Sequence, residues 1–166
     1  MDITEKARIF ATSAHAATGQ IRKYTFEPYI VHPAEVAGLV EQYTNDACLI
    51  SAAWLHDVLE DTKVTEELLR QEFGDYITNI VVWLTDVSIP SDGNRAVRKA
   101  IDLEHTRLST PYAKTVKLAD IISNVKSIKV HDPEFSKVYL MEKRAQLAVL
   151  TEGNQELYAI AKSLLD

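Results

Sequence analysis

Within the stretch 52–62, His56 and Asp57 are adjacent, and Glu60 and Asp61 follow one helical turn later. Residues three and four apart share a helix face, so a helix here would set His56 beside Glu60 and Asp57 beside both Glu60 and Asp61. Leu55, Val58 and Leu59 are interleaved with them and predict burial. Buried carboxylates are costly without compensation, and a divalent cation would supply it. Two further residues fit the same need: His32, placed directly before Pro33, and Asp120, a carboxylate inside the apolar run 116–122. His32, His56, Asp57 and Asp120 offer two nitrogens, two carboxylates and no thiolate, a set suited to Mn, Fe or another metal with open coordination positions. A structural zinc site would more often contain cysteine. Such an ion polarises a phosphoryl oxygen and makes water a nucleophile near neutral pH, with Glu60 and Asp61 as candidates to orient or deprotonate that water. Arg22, Lys23, Lys117 and Asn124 could position phosphate groups, Arg through a bidentate fork and Lys as a point charge. Taken alone, the stretch 52–62 also fits a solvated helix end with an ordinary histidine.

The elements that must position these residues are all predicted to be helices. The first spans 3–18, with Ile3, Ala7, Phe10, Ala11, Ala14 and Ala17 at helical spacing, Asp2 as cap and Gly19 as stop. His15, near its end, fits a hydrogen-bonded structural role best. A connector, 20–29, carries Arg22 and Lys23 with three aromatic residues. Pro33 as first helical residue would leave His32 as an extended cap. Asn45 is expected to cap a central helix, apolar almost all round, that runs through Ala47 and Leu55 into the His-Asp pair. Thr65 caps the next helix, which ends at Phe73-Gly74, and 76–87 forms another. A loop at 88–94 contains Pro90 and Gly93. An amphipathic helix at about 95–107 follows, and then an apolar one that starts at Pro111 and carries Lys117, Asp120 and Asn124. Asp132-Pro133 opens a further helix, and 155–165 closes the chain. The expectation is an all-α bundle of about eight helices in one domain, 1–166.

The composition narrows the function. With 166 residues, 46% apolar, the chain can bury one core. A net charge of -6 argues against broad binding to nucleic acid or an acidic membrane surface, while leaving room for a small anionic ligand. Cys48 is the only cysteine, which excludes an intrachain disulfide and fits a cytoplasmic protein. No export signal or membrane-length apolar stretch is evident.

The order His, His-Asp, Asp on helices resembles the HD superfamily of metal-dependent phosphohydrolases. More narrowly, His15-x4-Gln20-x-Arg22-Lys23, Glu27-Pro28-Tyr29-Ile30-x-His32-Pro33, Leu55-His56-Asp57-x2-Glu60-Asp61-Thr62, Phe73-Gly74 and Val116-Lys117-Leu118-Ala119-Asp120-x3-Asn124 resemble the hydrolase domain of RelA/SpoT homologues. The length is similar to that of small alarmone hydrolases of the metazoan SpoT type. The resemblance implies Mn-dependent removal of pyrophosphate from the 3′ position of guanosine tetra- or pentaphosphate. It implies His32, His56, Asp57 and Asp120 as metal ligands, Glu60 and Asp61 as the water-activating pair, and Arg22, Lys23 and Asn124 as substrate contacts. The chain departs from the pattern at Ile121-Ile122-Ser123, where family members usually have Arg-Leu-His, and at Phe26, where glycine is common. Two other readings stand beside it: a nucleotide phosphohydrolase of other specificity (an adenosine alarmone, the 2′-phosphate of NADPH or a nucleoside monophosphate), and a non-catalytic nucleotide- or partner-binding module. Retention of Glu60-Asp61 argues against the last.

Overall fold

The computed structural model describes all 166 residues, and every regular element in it is a helix. Eight helices are longer than one turn, and a ninth consists of a single turn. The chain sorts into two compact units, Met1–Thr85 and Asp86–Asp166. No helix is long and apolar enough to cross a membrane.

In the first unit, α1 (Ile3–Thr18) begins at Asp2, whose carboxylate accepts the Glu5 N–H, and stops at Gly19 with φ 69°. That left-handed angle suits glycine. α1 turns Ala7, Ala11 and His15 inward, and its alanines let it lie close against α3 (Ala47–Leu55). Ala52, Ala53 and Leu55 of α3 are fully buried, and α1, α2 (Val31–Glu41) and α5 (Glu66–Leu84) pack around them. The cap of α3 is Asp46, not Asn45: its carboxylate accepts from the N–H groups of Cys48 and Leu49 at 2.9 and 3.2 Å. Asp46 alone directly precedes the first helical residue, and its charge complements the helix N-terminus. A cap of this kind contributes about 1 kcal/mol.

The helix expected to carry the whole His-Asp stretch is broken. α3 ends at Leu55, and Asp57, at φ -103° and ψ -2°, separates it from the one-turn α4 (Val58–Asp61). Thr65 caps α5, as expected, and Gly74 at φ 77° and ψ 173° kinks it into the two helical segments read from the sequence. Its second segment ends at Leu84 rather than Val87. The N–H groups of Val87 and Ser88 instead donate to Asp102, at 3.0 and 2.9 Å, and so leave the helical path.

The second unit opens with a 3-10 turn at Pro90–Asp92, followed by α6 (Arg95–Leu108) with Asn94 as its cap. α6 is amphipathic and mostly exposed, and it is tied to α8 (Pro133–Ala148) by a two-pronged ion pair between Arg95 and Glu142 at 2.7 and 2.8 Å. α7 (Pro111–His131) supplies the core, burying Val116, Leu118, Ala119, Ile121, Ile122 and Val125, and it packs against α8 and α9 (Gln155–Leu165). At the turn before α9, Gly153 lies against α7. A Cβ there would come within 2.7 Å of Leu118 Cδ1 and 3.2 Å of the backbone at Lys114 and Thr115.

Candidate metal centre

His32 enters the site from the first turn of α2. The helix starts two residues before Pro33, with the His32 N–H donating to the Tyr29 carbonyl at 3.0 Å, so His32 is helical and not the extended cap expected from its proline neighbour. Pro33 is tolerated because its missing N–H falls among the first-turn donors that no helix satisfies internally. The imidazole of His32 is 1% exposed.

His56 stands at the C-cap of α3, also buried, and its Nδ1 lies 2.8 Å from the Ala53 carbonyl oxygen. A carbonyl can only accept, so Nδ1 carries the proton and Nε2 of the neutral ring keeps its lone pair. That Nε2 faces Nε2 of His32 at 3.3 Å and Oδ2 of Asp57 at 3.0 Å, while His32 Nε2 lies 3.7 Å from the same oxygen. Ligand atoms of His32, His56 and Asp57 all fall within 4.8 Å of one another. With both Nε2 atoms unprotonated, two lone pairs and a carboxylate oxygen face one small volume, and a divalent cation fits this donor set. The Nδ1–H bond to Ala53 is the outer contact that fixes a ligating imidazole's tautomer.

Tyr29 adds what the residue pattern did not assign. Its hydroxyl donates to Asp57 Oδ2 at 2.6 Å, a short bond to a charged acceptor that orients the carboxylate. It closes the connector 20–29 onto the centre, and its ring stands 4.9 Å from that of His15. Burial keeps His15 more weakly basic than usual, against the opposing pull of the Asp57 charge.

On α4, Asp61 is half-buried and Glu60 exposed. Burial, and then the neighbouring Asp57 charge, raise the Asp61 carboxyl above the ordinary carboxylate range, while the nearby Tyr29 hydroxyl and Gln20 side chain pull it back. A carboxylate shifted toward neutrality is a better proton acceptor. Arg22 and Lys23 sit on the turn of the connector. The turn is closed by an Ile21–Pro28 bridge and by hydrogen bonds from Arg22 N–H to Glu27 O (2.8 Å) and from Phe26 N–H to Arg22 O (3.1 Å). Lys23 rests over the Tyr24 ring at 5.0 Å.

The other predicted residues belong to the second unit, where α7 brings Lys117, Asp120 and Asn124 together on one face. Asp120 is 5% exposed, and both its oxygens are engaged: Lys117 Nζ donates to Oδ2 at 2.9 Å and Asn124 Nδ2 to Oδ1 at 2.7 Å. Lys143, which the sequence did not single out, donates to Gln146 Oε1 at 2.9 Å and lies over the Tyr139 ring at 5.0 Å. Its ammonium is pushed down to about 8 by burial and by the charge of Lys117, with Asp120 opposing.

A profile of the HD domain matches residues 7–147. A Xenopus tropicalis protein named guanosine-3′,5′-bis(diphosphate) 3′-pyrophosphohydrolase MESH1 is 38% identical over 110 residues, covering 64% of this chain and 59% of that protein. A Mycoplasma pneumoniae protein named as a probable guanosine-3′,5′-bis(diphosphate) 3′-pyrophosphohydrolase is 31% identical over 157 residues, 89% of this chain and 21% of that one. The chain thus spans about a tenth to three-fifths of the length of the curated relatives it matches. A solved structure of a metazoan ortholog of SpoT, described as hydrolysing ppGpp, superposes with a TM-score of 0.87 at 26% identity, covering 99% of this chain and 94% of that one.

Proposed function

We propose, from the premise that the chain belongs to the HD domain family, that it is a metal-dependent hydrolase. Its reaction is removal of pyrophosphate from the 3′ position of guanosine tetraphosphate, with residues 1–166 working as one HD-type domain. The observation that carries the reading is the convergence of His32 Nε2, His56 Nε2 and Asp57 Oδ2 in a buried space beside a carboxylate, Asp61, of raised pKa. The names of the relatives and of the solved neighbour supply the substrate.

In this reading His32, His56 and Asp57 hold Mn, and Asp120 is a fourth ligand on the strength of its motif. The ion, when bound, supplies positive charge that polarises a phosphoryl oxygen and acidifies water. Glu60 and Asp61 take a proton from the attacking water, whose oxygen adds to the phosphorus attached to the 3′ oxygen. The bond from that phosphorus to the 3′ oxygen breaks, the 3′ oxygen gains a proton, and GDP and pyrophosphate leave. Arg22, Lys23, Lys117 and Asn124 hold the phosphate charge in place. The profile's continuity across residues 7–147 supports a single working domain.

The test is turnover of guanosine tetraphosphate by metal-stripped protein with and without Mn, with pyrophosphate resolved from orthophosphate. The adenosine counterpart and NADPH are run beside it. Mn-dependent pyrophosphate release is expected, and Glu60→Gln should reduce it by about 10²- to 10⁴-fold with metal and nucleotide binding kept. Metal-loaded protein that releases no pyrophosphate from the guanosine compound sinks the reading.

A further inference from the structure

Phe26 is the one residue other than glycine with a positive φ, at 62°. It closes the turn of the connector at the position where a hairpin ordinarily places glycine, because a Cβ there crowds the following carbonyl. A strained side chain usually has a compensating reward in packing, but Phe26 is 73% exposed. The fold therefore bears a backbone strain and shows an aromatic ring to solvent, and the molecule itself gains little from either.

The surroundings of the ring say what could gain. Arg22 and Lys23 occupy the same turn, and the Arg22 carbonyl accepts the Phe26 N–H. Three residues further on is Tyr29, whose hydroxyl bonds Asp57. Three residues of extended chain reach about 11 Å at most, so the Cα of Phe26 lies within that distance of the Cα of Tyr29, on the same connector that reaches the metal centre. A turn that combines two cations with an exposed flat ring complements a ligand with phosphate charge at one end and an aromatic plane at the other. Charge favours that ligand over an apolar segment of another protein, which would gain nothing from Arg22 and Lys23.

We propose that Phe26 is a specificity-determining residue, a platform on which the purine base of the nucleotide stacks. The proposal rests on the nucleotide substrate argued above and adds the residue that grips the base. Stacking on an aromatic ring accepts guanine and adenine alike, so Phe26 sets a preference for nucleotides over simple phosphate esters without choosing between the two purines.

The experiment compares the unsubstituted 166-residue chain with Phe26→Gly, Phe26→Leu and Phe26→Trp in Mn-dependent hydrolysis of guanosine tetraphosphate and in thermal denaturation. Loss of the stack should raise KM by about ten- to a hundredfold in the Gly and Leu variants, with kcat kept, and Trp should restore a wild-type KM. Phe26→Gly should also hold or raise Tm, since glycine fits the turn. A Gly and a Leu variant with wild-type KM would overturn the proposal, as would a KM change matched by a fall in Tm. If wild type hydrolyses no guanosine tetraphosphate, the hydrolase reading fails while the platform is still read out with GDP. GDP should quench the added tryptophan of Phe26→Trp beyond any change in wild type, and no such quenching overturns it.

Discussion

Two carboxylates with similar sequence surroundings, Asp120 buried and Asp57 partly so, meet their charge in different ways. Asp120, in the second unit, is neutralised by its own helix: Lys117 and Asn124 take one oxygen each. Asp57, in the first unit, receives a phenol hydroxyl and faces two imidazole nitrogens, one of which keeps its lone pair toward it. The first arrangement brings a cation of its own, and the second is a donor set that suits one. Burial of an acid thus does not by itself imply a metal, and what distinguishes the two is which kind of atom faces the acid. The assignment of Asp120 as a ligand rests on its place in the motif, whereas His32, His56 and Asp57 have geometry behind them.

The contrast can be broken most severely at Asp57. Asp57→Ala should lower Mn affinity by more than the roughly hundredfold that loss of an outer contact costs. Losing Asp57 gives up the Tyr29 hydrogen bond but relieves the crowding of its oxygen against the two imidazoles, so the metal-free protein's Tm should change little. Asp120→Ala should lower that Tm, because it removes the acceptor of both the Lys117 ammonium and the Asn124 amide. Calorimetric Mn titration and thermal denaturation of both variants check this, and a large metal-free Tm loss in Asp57→Ala would erase the distinction.

Lys117→Met sharpens the comparison. It leaves one oxygen of a buried carboxylate without its cation and should destabilise the metal-free protein by about 1–3 kcal/mol. If Asp120 ligates Mn, saturating Mn replaces the lost charge and the deficit shrinks, since a ligand stabilises the state that binds it. An equal deficit with and without Mn would remove Asp120 from the ligand set.

The last effect is read through pH, at Lys143. Its folded pKa, about 8, lies below the ordinary lysine value of 10.5. Between those values the unfolded chain binds more protons, so this residue's contribution to stability rises with pH across that window. Below pH 8 the charged amine opposes folding in full. Lys143→Met should therefore raise Tm at pH 7, and the gain should fade as pH climbs toward 10.5. A gain independent of pH would point to packing instead.

Much of this was legible in the sequence because it is local. Asp2, Thr65 and Asp132 each cap the helix that follows, and a cap depends on residues two or three positions away. Both helical segments around Gly74 were visible for the same reason. The break at His56–Asp57 was not, because the pattern there is helical and the partners that turn the chain aside are elsewhere. Tyr29, whose hydroxyl holds the Asp57 carboxylate, lies 28 positions from it. The partners of Asp120 were in plain view three and four residues away, but their roles had been given to the substrate and not to the carboxylate. Lys143 escaped notice because its environment is set by which helices of the second unit meet.

Gly153 gives the second unit a vulnerability that no chemistry marks. Any side chain at this turn would press on Leu118 and on the α7 backbone at Lys114 and Thr115, one turn or so before Lys117 and Asp120. In a map of mutational tolerance, this position should therefore stand out as intolerant while its exposed neighbour Thr151 accepts most replacements. An inherited change there would be a loss of function transmitted by shape alone.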